Sequence, residues 1–209
     1  MPHDNAVRAP ARKGRPRGFD RDEALKRALE VFWERGYEPA SVAELCSAMG
    51  IKPPSLYAAF GNKAKLFLEA VNYYEEIYWA KAWDDLETSV DLHMGVDEFF
   101  QAAAHILSAP DAPCGCMVVL SAINVSPESV EVIDALRAMR MEGRECFKAR
   151  LARGIEQDHL PASTDISALA AALNTVLEGM AIQARDGDSQ AQLKKIAALA
   201  QRMIPARPD

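Results

Sequence analysis

Histidine and cysteine are scarce: four of each among 209 residues. No histidine stands in a recognisable catalytic spacing. The chain also lacks a Gly-rich phosphate loop, an HExxH motif and a G-x-S-x-G elbow, so no familiar enzyme class is indicated. Four cysteines do not make a disulfide scaffold in a chain of this size. Cys114 and Cys116, one residue apart, are a poor tetrahedral pair with only His93 and His105 in reach, so no metal or cofactor is expected. No apolar run approaches the length that spans a bilayer, and MPHDNAVRAPARK lacks the apolar segment of a signal peptide. The expectation is a cytoplasmic protein with no membrane partner.

Positive charge is present, but it is confined. The formal net charge is −6, yet residues 1–21 carry six Lys/Arg against two Asp/Glu, whereas residues 73–209 carry twelve against twenty-one. A basic front end and an acidic remainder suit a protein that docks one end on a polyanion. Residues 1–18 read as a flexible arm whose Arg15 and Arg17 can follow a phosphate backbone or enter a minor groove. A merely solubilising tail is the plainer reading of the same residues.

Behind the arm, Ser41 to Phe60 reads as two short helices joined by a tight turn. Ser41 and Glu44 have capping-box spacing, Gly50 suits a left-handed C-cap, and Pro53 and Pro54 suit the first turn of a second helix. Ser55, Tyr57 and Ala58 then face outward while Leu56, Ala59 and Phe60 turn in. Such a unit is either an ordinary helical hairpin or a helix-turn-helix whose second member enters the DNA major groove. A preceding helix at about Arg21 to Arg35, capped by Asp20, completes a three-helix head.

The remaining chain is helical by pattern. A long strut begins at Lys63 after the cap Asn62 and carries Leu66, Phe67, Ala70, Val71, Tyr74, Ile77 and Tyr78 on one side toward Trp83. A loop is expected over residues 84–95, then a helix from Val96 to Ser108. CMVVLSAIN reads as a buried helix rather than a strand. Ser126-Pro127 reads as the start of a long helix, with Val130, Ile133, Leu136, Ala138, Phe147 and Leu151 buried and a possible bend at Gly143. Two Ala- and Leu-rich helices, the second opened by Ser189 and Gln192, close the chain. They are either buried within one subunit or form a four-helix contact with a second copy.

GFDRDEALKRALEVFWERGYEPASVAELCSAMGIKPPSLYAAFGNKAKLFLEAV resembles the N-terminal domain of the TetR family of transcriptional regulators. The resemblance rests on Phe32, Gly36, Tyr37, Ser41, Leu45, Gly50, Ile51, Leu56, Tyr57, Phe60, Lys63 and Leu66 at the family's spacing. It implies an all-α protein of about nine helices: a helix-turn-helix DNA-binding domain at 19–73, then a ligand-sensing and dimerisation domain at 74–209. It also implies a homodimer through the two C-terminal helices, a palindromic double-stranded operator, and repression relieved by an unknown small molecule. Carried over, Tyr57 and Lys63 contact phosphates, Lys52 and Ser55 reach bases or phosphates, and Pro53 packs on a thymine methyl. Ser41 belongs to the same DNA-facing set. Ala59, where many members carry His, removes a polar contact. PCGCMVVLSA and VLEGMAIQARDG are similar to an AcrR-type subgroup.

For the sensing domain, Trp79, Trp83, Phe99, Phe100, Met117, Phe147 and Met180 are candidate walls of an apolar pocket, with Asn124, Asn174 or His105 as orienting groups. The same residues also suit an ordinary core. A thiol-redox regulator using Cys114 and Cys116, and a helical protein-interaction adaptor, stand as alternatives.

Overall fold

The computed structural model describes residues 19–122 and 124–208; Arg15 and Arg17 lie outside them. Every regular element among these residues is helical. The first, α1 (Arg21–Arg35), starts where Asp20 accepts from the amides of Asp22 and Glu23, and buries Ala24, Leu25, Ala28, Leu29, Phe32 and Trp33. Across it lie α2 (Val42–Met49) and α3 (Pro53–Phe60). Gly50 between them adopts φ 66°, ψ 29°, a left-handed conformation that favours glycine. Ser41 caps the Glu44 amide, but the expected capping box is only half formed. The Glu44 carboxylate turns instead to Arg35, at 3.2 Å.

Asn62 caps α4 (Lys63–Tyr74) through the Lys65 amide. Phe67 of α4 meets Phe32 edge-on with ring centroids 5.0 Å apart, and Trp33 packs between Tyr74 and Tyr78 at 4.6 and 4.9 Å. Beyond Tyr74 the helix widens into a π-helical turn, Glu75–Trp79, then narrows again into α5 (Ala80–Thr88). The widened turn re-phases the helix faces. Trp79 is therefore buried, while Ile77, expected inside, is 57% exposed.

The strut also runs further than its pattern suggested. Leu86 is buried and extends α5 to Thr88, and Asp91 caps α6 (Leu92–Leu107) through the Met94 amide. The expected loop over 84–95 thus shrinks to three residues. After the loop holding Cys114 and Cys116 comes α7 (Met117–Ser121), a short helix as expected.

The long α8 (Val130–Glu156) starts later than Ser126 because the α1–α2 connector intervenes. Glu38 accepts from the Ser126 amide at 2.8 Å and from the Ser129 hydroxyl at 2.9 Å. Val130 and Ala138, expected inside, are exposed, while Val132 and Arg150 are buried. Arg150 and Arg153 both donate to the Ser89 carbonyl in the α5–α6 link. The helix passes through Gly143 unbroken.

α9 (Ile166–Asp186) ends at the left-handed Gly187, and α10 (Gln190–Gln201) opens with the full Ser189–Gln192 capping box. α8 and α9 pack together, and α10 lies chiefly on α6. Because α4, the π turn and α5 form one rod, the described residues make nine helical rods in all. By length and composition α9 is apolar enough to cross a membrane, contrary to the sequence expectation. Its leucines, isoleucines, alanines, Val176 and Met180 are interrupted by Asn174, Thr175 and Glu178 rather than forming one continuous run.

Candidate nucleic-acid interface and sensor cavity

The turn and α3 form one outward face. Lys52, Pro53, Pro54, Tyr57 and Ala58 are exposed, with Tyr57 at 50%, and Ser55 is half-buried. Phe19, Gly50, Ile51, Lys52, Ser55, Ala58 and Ala59 line a 380 Å³ hollow beside them. Leu56 and Phe60 anchor the helix from behind. Pro53 and Pro54 carry no N–H, and the Ser55 and Leu56 amides return to the Lys52 carbonyl. The start of α3 therefore has no spare amides for a phosphate. Side chains have to supply the contacts, and Lys52, which makes no side-chain cap, is the cation placed to do so.

Lys63 is placed differently. Its ammonium donates to the Glu38 carbonyl at 3.1 Å and sits 4.4 Å from the Tyr37 ring centroid. Burial lowers its pKa. Its charge is spent inside the head, while Lys65, one turn edge away, is exposed. Arg21 is likewise engaged, with Glu69 and over the Phe60 ring.

Among the described residues, polar ties at Trp33, Glu38 and Glu34 join this head to the rest of the chain. Trp33 Nε1 donates to the Gly115 carbonyl at 3.0 Å, across 82 positions of sequence. Glu38 holds the approach to α8, as above, and Arg185 at the end of α9 donates to the Glu34 carbonyl at 2.9 Å. Gly115 has φ 88°, and a Cβ there would lie 2.8 Å from the Ala181 carbonyl. Only glycine lets this loop pass so close to α9.

Behind the loop opens a cavity of about 480 Å³, within the range of small-molecule sites. The π turn supplies Glu75, Glu76 and Trp79, α5 supplies Trp83, and α8 supplies Met139, Arg140, Glu142, Gly143 and Cys146. Asn174, Leu177 and Glu178 of α9 close the third side, with Cys116, Val118 and Val119 at the inner end. Gly143 is where α8 gives room: a Cβ there would sit 3.3 Å from Asn174 Oδ1 and 3.4 Å from the Trp83 ring. Burial, reinforced by the Glu142 carboxylate, pushes Glu75 up to about 7.

Of the ligand candidates named from sequence, the cavity takes Trp79, Trp83 and the polar Asn174. Behind Trp83, Phe99 lies tilted at 4.4 Å and Phe147 edge-on at 5.3 Å, and Phe100 stacks on Phe147. Met117 and Met180 are closed into the core, and Asn124 is exposed in a turn away from the cavity. His105 pairs with Gln190 at 2.9 Å on the far side of the bundle. Helical spacing identified core aromatics correctly but not which of them meets a void. The acidic lining was missed altogether, although the Glu75-Glu76 pair one turn before Trp79 was a signal.

Of the two thiols in the redox reading, Cys114 is exposed and Cys116 is buried. Burial, with the Glu75 charge next, pushes Cys116 up to about 11. Burial and Glu142 raise Cys146 as well. Protonated thiols are weak nucleophiles. Among the described residues no three His, Cys, Asp or Glu side chains gather as metal ligands.

Comparison with known proteins gives this geometry its context. Residues 24–70 match the model described as bacterial regulatory proteins, tetR family, and residues 95–199 match that for the tetracyclin repressor-like C-terminal domain. The HTH-type transcriptional repressor ComR of Escherichia coli (strain K12) is 34% identical over 196 residues, 92% of each chain. The chain belongs to the TetR family. Another relative, the HTH-type transcriptional repressor BdcR of Escherichia coli (strain K12), is 30% identical over 187 residues, 90% of each chain. A solved structure of a cysteine mutant of the TetR family transcriptional regulator CifR, complexed with 26-bp double-strand operator DNA, is 44% identical. It superposes with a TM-score of 0.88 over 92% of this chain and 100% of that one. A TetR-family chain is a DNA-binding transcription regulator rather than an enzyme, and the head formed by α1 to α3 is its helix-turn-helix.

Proposed function

We propose that the protein is a homodimeric repressor of the AcrR type, released from a palindromic operator when a small molecule enters the cavity described above. On this reading residues 1–18 are the basic arm, 19–73 the DNA-binding domain and 74–209 the sensing and dimerisation domain of a cytoplasmic regulator. Lys52, Pro53, Ser55 and Tyr57 meet the operator, with Ser41 fixing the start of α2. The observation that carries the proposal is the shared wall. The Cys114–Cys116 loop lines the cavity through Cys116 and receives the Trp33 indole of α1 through Gly115. A ligand that favours one position of this loop biases the tilt of the head, and it acts only through its differential affinity for the two positions.

Dimerisation through α9 and α10 is supported by what those helices leave uncovered. Ile182 is 42% exposed and Leu199 59% exposed, and nothing lies within 4 Å of a Cβ added at Gly179. A second copy would cover this apolar face, and it also accounts for an α9 that is apolar enough to cross a membrane. Two heads are needed because one helix-turn-helix reads one half-site.

The test is selection of bound fragments from genomic DNA by the purified chain, with and without residues 1–18. Recovery of one palindrome, bound by a dimer and released by some small molecule, is the expected result. No enrichment even at low salt, or an operator affinity indifferent to every compound that binds the cavity, would overturn it.

A further inference from the structure

The cavity carries chemical information about its occupant. Its walls are the Trp79 and Trp83 indoles with Val118, Met139 and Leu177, so the body of the ligand is apolar. Its polar groups are unbalanced in charge: Glu75, Glu76, Glu142 and Glu178 line it against one cation, Arg140.

Glu75 is the telling residue. It sits in the π turn, most of its surface is covered, and among the described residues it enters no ion pair and no side-chain hydrogen bond. Among the described residues the charge that acts on it is that of Glu142, and no cation does. Glu178, by contrast, already accepts from Asn174 at 3.0 Å. A carboxylate largely covered by the protein and without a partner is costly to hold. A π-helical turn is itself an uncommon device, found mostly at functional positions, and here it delivers Glu75 and Trp79 to one void. Carboxylate and indole together are the surroundings that hold an organic cation, the first by charge and the second through its electron-rich face.

We propose that the cavity binds a lipophilic organic cation, an amine or onium ion with a bulky aromatic or branched apolar body. The inference rests on the ligand-responsive reading above and names the chemical class that the reading leaves open. The cationic centre sits between Glu75 and Glu142, and the apolar body lies against Trp79 and Trp83. Arg140, whose Nη1 is buried without a partner, is the one feature favouring an anion, so the test sets the two charges against each other.

Tetraphenylphosphonium and tetraphenylborate have nearly the same size and shape and opposite charge. The full chain is titrated with each by calorimetry, without DNA, so that operator selection and this measurement succeed or fail separately. The expected result is saturable binding of one phosphonium per chain and borate binding at least about tenfold weaker. Glu75→Gln and, on the exposed rim, Glu142→Gln each lower phosphonium affinity about tenfold or more. A thermal melt confirms that both variants are folded. Equal or tighter borate binding, no binding of either ion, or full phosphonium affinity in both folded variants would overturn the assignment.

Discussion

Glu75 should make the protein less stable at alkaline pH than it would be with an uncharged side chain in its place. An ordinary glutamate titrates near 4.5, and burial with the nearby Glu142 carboxylate carries this one to about 7. Below about 4.5 the side chain is protonated in both folded and unfolded chains and costs nothing. As pH rises from there the unfolded chain loses its proton first, so stability falls, and above about 7 the full cost is present. At about 1.4 kcal/mol per pH unit that cost is on the order of 3 kcal/mol. Relaxation around the carboxylate and its partial access to water reduce it, so about 1–3 kcal/mol is expected. Glutamine keeps the shape and never ionises. Glu75→Gln should match the wild type near pH 4 and gain steadily to pH 8, where its melting temperature should lie about 3–10 °C higher. Urea or calorimetric unfolding of both chains over this pH range measures the difference, and groups common to both cancel. A difference that does not change with pH, or a variant less stable at pH 8, would refute the account of Glu75 as an uncompensated buried acid.

Three further outcomes are expected. Trp33→Phe leaves the Gly115 carbonyl without its buried donor, so the chain should lose about 1–3 kcal/mol in urea unfolding, and its operator affinity should respond less to ligand in fluorescence anisotropy. Lys52→Ala should reduce the salt slope of operator binding by about one, whereas Lys63→Met should weaken binding with little change of slope, because that ammonium already serves Glu38 and Tyr37. An equal fall in slope for both would return Lys63 to the phosphate contacts. Gly179→Glu fits the free subunit but sets a charge on the uncovered face of α9, so light scattering should report a 22.9 kDa monomer; an unchanged dimer would place the interface elsewhere.

The head was largely legible because its boundaries are set by local chemistry. Asp20, Ser41 and Asn62 cap amides within a few residues, as Ser189 does at α10, and Gly50 ends α2 in a left-handed turn. What escaped was decided at a distance. The start of α8 depends on Glu38, some ninety residues earlier. The phase of the strut depends on one widened turn, which helical periodicity cannot register. Lys63 has the position of a phosphate contact but folds back on the α1–α2 connector. The cavity is a gap between the π turn, α8 and α9, so the split between Trp83 in its wall and Phe147 behind it follows from three-dimensional packing alone.

The π turn also bears on how such regulators can be recombined. It absorbs about one extra residue, so the positions downstream are offset by about 100° from the count of an unbroken α-helix. A sensor grafted from a relative with a plain α-helix at this point would present α5 to its bundle in the wrong rotation. A junction placed within residues 75–79 mixes two helical phases, whereas one placed before Tyr74 carries the whole offset with the sensor. The same arithmetic makes a one-residue deletion here close the rod into a plain α-helix with its two ends still in phase, removing only the widened turn that carries Glu75 and Trp79 to the cavity.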